Sequence, residues 1–178
     1  MIGIRANNGI LPIDECEYLI SYVNRVGTLG EWSHSEEPYW QNRFIELKDI
    51  EDDRALAIMK ETYEKIRSCL PIGCEADSFN LVVWREHTGA DLHIDEVGFE
   101  WRKYSSIIYL NDNFNGGRTE FPNQSVSVEP RAGMGIVFEA NHEYPHLVTA
   151  VESGMRYTVA SFWTEDEKYK YYKGWIDD

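Results

Sequence analysis

Cysteine is scarce in this chain: Cys16, Cys69 and Cys74 are odd in number, and none belongs to a C-x-x-C pair. That argues against a disulfide framework and for a reducing compartment. Positive charge is also in short supply, with 17 Lys and Arg against 31 Asp and Glu and a formal net charge of −14. Binding to a nucleic-acid backbone depends on Lys and Arg displacing counterions, so nucleic acid is not an expected partner, and neutral or basic ones are favoured. No apolar run reaches transmembrane length, and the opening Met1-Ile2-Gly3-Ile4-Arg5 has no long apolar region followed by a cleavage site. A soluble, cytoplasmic protein with no membrane partner is the expectation. Repeats and low-complexity segments are missing as well.

What is present suits one domain over residues 1–178, long enough to bury a core without disulfides. Aromatic residues make up 13% of the chain, with six Trp and eleven Tyr, as a β-rich core or an aromatic-lined cleft would need. Cys16, Leu19, Ile20, Val23 and Val26 recur at helical spacing, which predicts a helix over about 14–26, with Asp14 as N-cap and Gly27 as its end. Leu56, Met59, Tyr63, Ile66 and Leu70 predict a second helix over about 51–70, opened by the acidic Glu51-Asp52-Asp53 and closed by Pro71 and Gly73. Between them, Trp32, His34, Pro38, Tyr39, Trp40 and Phe44 lie in a long connection, with a short strand near Arg43–Leu47. Those aromatics could pave a cleft, but covering the core is the favoured role.

From Phe79 onward the texture changes to short β-prone runs separated by turn residues. Strands are predicted near Phe79–Trp84, Leu92–Asp95, Ser105–Leu110, Thr119–Phe121, Ser125–Glu129, Gly135–Phe138, His146–Val151 and Arg156–Trp163. This is a mainly β fold with flanking helices: a jelly roll, or double-stranded β-helix, with its core over about 79–164 and the helices braced on the major sheet. The charged, tyrosine-rich stretch after Glu165 reads as a short helix or a frayed tail.

Within that frame His93-Ile94-Asp95 stands out. Alternate side chains on a strand share a face, so His93 and Asp95 would point together while Ile94 faces away. A second imidazole from a distant strand would complete a 2-His-1-carboxylate set, the arrangement that leaves open positions on non-haem Fe(II). His146 is the favoured partner and His142, four residues earlier, its rival; His34 and His87 lack supporting neighbours. The Gly116-Gly117 pair is not followed by the helix and Lys-Ser/Thr of a phosphate loop, and reads as a turn needing positive φ.

Taken together, the motifs resemble the iron(II)- and 2-oxoglutarate-dependent dioxygenases, specifically the prolyl 4-hydroxylase-like branch. They run in family order: His93-Ile94-Asp95, Ile107-Ile108-Tyr109-Leu110-Asn111, Gly116-Gly117-Arg118-Thr119-Glu120-Phe121-Pro122, Val128-Glu129-Pro130-Arg131-Ala132-Gly133, and His146 through Tyr157. The resemblance implies that His93, Asp95 and His146 bind Fe(II). It implies that Arg156, ten positions after His146, forms a salt bridge with the C5 carboxylate of 2-oxoglutarate. A guanidinium fork matches a carboxylate and stays charged when buried, which suits that role. Tyr109 and Thr119 match residues serving the same end of the cosubstrate. Arg102 matches an arginine that helps bind the peptide. Trp163 is carried as a substrate-side residue, with core filling as the blander reading. The chain departs from the family at Trp84, nine positions before the first ligand, where a Tyr commonly helps hold 2-oxoglutarate; an indole can donate one hydrogen bond but cannot accept as a phenol does.

The implied activity is hydroxylation of a C–H bond using O2, with 2-oxoglutarate converted to succinate and CO2; the family also leaves room for ascorbate. The leading substrate is a proline in a peptide or protein, because extended proline-rich segments bind at low entropic cost. The alternative is hydroxylation of a free amino acid or small metabolite. A non-catalytic jelly-roll binding protein is a third reading, disfavoured by the intact set His93, Asp95, His146 and Arg156. Asp95 also speaks against a halogenase, which gives up that carboxylate.

Overall fold

Helix α1 spans Ile13–Val26 and α2 spans Asp53–Arg67. Each buries one stripe: Cys16, Leu19, Tyr22 and Val23 on α1, and Ala55, Ile58, Met59, Thr62, Tyr63 and Ile66 on α2. Asp14 is not the cap of α1. The helix begins after Pro12 with no side-chain cap, and Asp14 sits in its first turn beside Glu15, where the carboxylate still meets the positive end of the dipole. Asp52 does cap α2: Oδ1 accepts from the Ala55 N–H at 2.9 Å. The same carboxylate accepts from the Tyr18 hydroxyl at 2.9 Å and from Arg25 at 2.7 Å, so one side chain ties the two helices together.

The computed structural model describes residues 2–28, 30–32 and 42–174. Numbering strands in chain order, the seven-stranded major sheet runs β1 (Arg5–Asn7), β10 (Gly135–Glu139), β6 (Arg102–Tyr109), β13 (Arg156–Thr164), β4 (Glu75–Trp84), β3 (Asn42–Glu46), β2 (Gly30–Trp32). The four-stranded minor sheet is β5 (Ala90–His93), β11 (His146–Val148), β8 (Thr119–Phe121), β9 (Val126–Val128). A two-stranded ribbon, β7 (Asn115–Gly116) with β12 (Val151–Ser153), completes the roll. Every one of these pairs is antiparallel.

Period-two alternation divides the major sheet into a helix face and a cavity face. On β13, Tyr157, Val159 and Trp163 join the helices in the main hydrophobic cluster, together with Phe79, Leu81 and Val83 of β4. On the other face, Ala160 and Phe162 of β13 and Trp84 of β4 line a cavity between the sheets. Gly116 and Gly117 take φ of 73° and 61°, as the turn reading requires.

The structure departs from the sequence reading in a few places. The predicted strand Leu92–Asp95 is Ala90–His93, and Asp95 lies in the turn beyond it, so alternation along one strand is not what joins it to His93. Ile94 likewise does not face away; it lines the cavity. The run His146–Val151 is interrupted after Val148, where Thr149 and Ala150 leave the sheet before β12 begins. Strands β1, β2 and β7 are two or three residues long, too short to carry a periodic signal. Phe44 packs partly buried near Trp84, Val82 and Ala90. His34, Pro38, Tyr39 and Trp40, and the side chain of Trp32, lie outside the described residues. After β13 a short 3-10 turn, Glu167–Tyr169, stacks Tyr169 on Trp101 with ring centroids 3.9 Å apart, and Tyr172 is buried against the helix-side core.

Candidate active site

Strand register brings the two imidazoles together, because His93, the last residue of β5, pairs directly with His146, the first of β11. Their ring centroids are 4.3 Å apart. The chain then turns, with Glu96 N–H bonded to Ala140 O at 3.1 Å and Val97 N–H to Ile94 O at 3.2 Å, and the turn carries Asp95 back onto the rings. Asp95 Oδ1 lies 3.4 Å from His93 Nε2, and Oδ2 lies 3.5 Å from His146 Nε2. One ligand atom from each of the three residues falls within 4.8 Å of the others, a span that one metal ion can bridge.

Both rings are set for that purpose. His93 Nδ1 is 2.7 Å from Asp91 O and His146 Nδ1 is 3.3 Å from Tyr144 O. A carbonyl can only accept, so Nδ1 carries the proton in each case and Nε2 keeps its lone pair for the centre of the cluster. Burial alone would raise the Asp95 pKa, but His146, His93 and the Ser105 hydroxyl outweigh it and hold the carboxyl well below its usual range. Burial also holds His146 below its ordinary value, which favours the neutral form in which an imidazole binds metal. The rival His142 stands outside the cluster, 3.7 Å from Glu96, with most of its side chain in solvent.

The second part of the site is at the far end of β13. Arg156 is 1% exposed, and its guanidinium lies between the rings of Trp84, 4.9 Å away, and Tyr109, 5.2 Å away. Nη2 donates to Thr119 Oγ1 at 3.4 Å, and the Tyr109 and Thr119 hydroxyls bond each other at 2.8 Å. Thus Arg156, Tyr109, Thr119 and Trp84 do come together. Among the described residues no carboxylate pairs with Arg156, and its Nε has no hydrogen-bond partner. A buried guanidinium stacked between two rings and short of an acceptor fits a small carboxylate ligand. The Trp84 indole N–H points to Thr158 Oγ1 at 3.4 Å, so it serves that end as a wall.

Between the ligand cluster and solvent lies a cavity of about 930 Å³ with mostly apolar walls. At its edge Arg102 is held between the rings of Phe99 and Phe162, each 3.9 Å from its guanidinium carbon. Its Nε donates to Asp77 Oδ2 at 2.9 Å, and the Trp101 indole donates to the same oxygen at 2.7 Å. Trp163 does not reach this space. It is fully buried on the opposite face of β13, with the Tyr63 ring tilted against it and the Phe79 ring edge-on, and with its N–H shared between Ser161 and Ser106. Strand parity gives the reason: Phe162 faces the cavity, so its neighbour cannot.

Sequence reasoning overlooked Ser105, Asp77, Phe99 and Phe162. Parity on β6 was the available signal for Ser105, since residues 105, 107 and 109 share a face and Tyr109 was already assigned inward.

Residues 79–164, the jelly-roll part of the chain, match the family model described as the 2OG-Fe(II) oxygenase superfamily. Over those residues the chain belongs to that superfamily. Prolyl 3-hydroxylase 2 of Mus musculus is 39% identical over 77 residues, which is 40% of this chain but only 11% of that protein. This chain therefore spans about a tenth of the length of the curated relatives it matches. Among solved structures, the 2OG complex of a viral collagen prolyl hydroxylase from Paramecium Bursaria Chlorella virus-1 shares the fold at TM-score 0.73 and 16% identity, covering 92% of this chain and 96% of that one. A prolyl hydroxylase of Trichoplax adhaerens, in complex with a hypoxia inducible factor oxygen degradation domain peptide fragment, does so at TM-score 0.75 and 19% identity, covering 96% and 86%. The donor set of His93, Asp95 and His146 fits Fe(II), and the open guanidinium of Arg156 fits a carboxylate such as that of 2-oxoglutarate.

Proposed function

We propose that this oxygenase domain hydroxylates a proline within a peptide or protein, with the C4 position as the primary site. The observation that carries the reading is the pairing of a His-Asp-His cluster with a buried, acceptor-seeking arginine in one roll. Together these supply one site for a metal and another for the distal carboxylate of a keto acid. When bound, iron with 2-oxoglutarate supplies the oxidising chemistry that puts one oxygen atom of O2 into a C–H bond.

The chain's own residues bind, orient and shield. His93, Asp95 and His146 hold the metal through two Nε2 atoms and a carboxylate oxygen. Arg156 takes the C5 carboxylate in a fork of N–H donors, with the Tyr109 and Thr119 hydroxyls beside it and Trp84 closing one wall. Apolar walls, including Ile107, Phe138 and Val148, keep water away from the reacting C–H bond. At the mouth, Arg102 has its Nε on Asp77 and its faces on two rings, leaving its remaining N–H groups to donate to a backbone carbonyl of an extended substrate. No side chain is needed as a base. The three free thiols suit a cytoplasmic setting, and among the described residues no helix is long and apolar enough to cross a membrane.

A second reading, C3 hydroxylation of proline, is favoured by the curated relatives, which are named prolyl 3-hydroxylases. The test is succinate release with blocked proline-containing peptides, free proline and other amino acids, followed by mass and NMR analysis of the product. Peptide-stimulated succinate with one added oxygen on proline is the expected result, and the NMR spectrum distinguishes C4 from C3. Stimulation by free amino acids alone would overturn the peptide reading.

A further inference from the structure

Among the polar side chains that line the cavity, Ser105 has a particular relation to the metal cluster. Its Oγ donates to Asp95 Oδ2 at 2.6 Å, the length of a hydroxyl bonded to a charged carboxylate. Both partners are shielded: Ser105 is 2% exposed, and only 8% of the Asp95 side chain is accessible. Asp95 sits in a turn, where the chain gives its carboxylate no sheet register to fix its rotation. Ser105 lies within β6, paired to both β10 and β13, so its position is set by strands on either side. The hydroxyl therefore transmits the rigidity of the major sheet to a ligand carried by a turn at the edge of the minor one.

We infer that Ser105 is the positioning residue for the Asp95 carboxylate, holding Oδ2 so that a single oxygen, Oδ1, is offered to the metal. This rests on the reading of His93, Asp95 and His146 as the metal ligands. The two imidazoles are oriented by backbone carbonyls at Nδ1, and Ser105 is the corresponding support for the third ligand. A carboxylate freed from the hydroxyl could rotate and present both oxygens, changing how the site closes around an ion.

The test uses the full chain and Co(II), an ion whose visible bands report coordination. Ser105→Ala is expected to weaken Co(II) binding by roughly tenfold to a hundredfold, the usual loss when a support behind a metal ligand is removed, and to alter the bands. Since that variant also disturbs a buried carboxylate, the decisive pair is Ser105→Thr and Ser105→Val, which have nearly the same shape and differ in the hydroxyl. The Thr variant should keep the wild-type affinity and bands, while the Val variant should behave as Ala does. Equal affinity and identical bands for Thr and Val would overturn the inference, as would an Ala variant that binds as the wild type does. Failure of the wild-type chain to bind Co(II) at all would instead sink the ligand assignment itself. Loss of affinity in both Thr and Val, with melting curves unchanged, would count against the positioning role.

Discussion

Arg156→Met should make the ligand-free protein more stable and, at the same time, unable to respond to 2-oxoglutarate. The guanidinium is 1% exposed and has no carboxylate partner among the described residues, and burial pushes its pKa below the usual arginine value. A buried charge left without its partner costs about 3–5 kcal/mol. Stacking on Trp84 and Tyr109 recovers about 1 kcal/mol for each ring, and the long bond to Thr119 recovers up to about 1 more. The net burden is then up to about 3 kcal/mol, with about 1–2 kcal/mol as its middle value, and methionine fills a similar volume without it. For a domain of this size each kcal/mol moves Tm by about 2–4 °C, so the variant should melt roughly 2–8 °C above the wild type in dicarboxylate-free buffer. At a 2-oxoglutarate concentration of about 100 times Kd, with Mn(II) present, the wild type should gain about 2.7 kcal/mol and overtake it, while the variant should not move. Thermal scans with and without the keto acid give the answer. An Arg156→Met protein that melts below the ligand-free wild type, or that gains as much from 2-oxoglutarate, would refute the reasoning.

Three further outcomes follow from the same geometry. Gly117 has φ of +61°, and a Cβ there would lie 2.9 Å from Arg156 Cδ and 2.9 Å from Phe114 Cε2; Gly117→Ala should raise the KM for 2-oxoglutarate about tenfold, with Co(II) affinity unchanged. Trp163→Ala should cost about 3–5 kcal/mol in denaturant unfolding, since Trp163 is packed on Tyr63 and Phe79, while leaving the KM for a peptide substrate as it was. Asp52→Ala should lower Tm at neutral pH, whereas Asp52→Asn should retain most of the cap. The Ala55 N–H and then the Tyr18 hydroxyl hold the Asp52 pKa below its ordinary 3.8, so the stabilisation is complete above that value and fades as pH falls through the lowered one; thermal scans in acid should show the gap between wild type and Asp52→Ala closing.

Much of this was legible in the sequence wherever periodicity is long. The two helices were found within a few residues of their ends because four or more apolar positions repeat on each, and the strand Thr119–Phe121 was located without error between its turn residues. The cluster of His93, Asp95 and His146 was legible from the order of these residues along the chain, but not its geometry: a turn, not strand alternation, returns the Asp95 carboxylate to the rings. Features fixed by register between distant strands were hidden. Ser105 reaches Asp95 only because β6 lies within the major sheet, between β10 and β13, and Asp77 reaches Arg102 across 25 residues of chain. The fate of Trp163 was decided by one step of parity relative to Phe162.

The direct pairing of His93 with His146 also bears on how the roll opens. Strand β5 is the edge of the minor sheet, four residues long, and among the described residues its one strand neighbour is β11. Fraying of such an edge costs little, and its amides should exchange with solvent well before those at the centre of the major sheet. An ion bound by one histidine from each strand would act as a rivet through that weak seam, because the edge could not lift away without breaking coordination. Metal loading should then be recorded as slowed hydrogen exchange along Ala90–His93, with the central strands β6 and β13 barely changed.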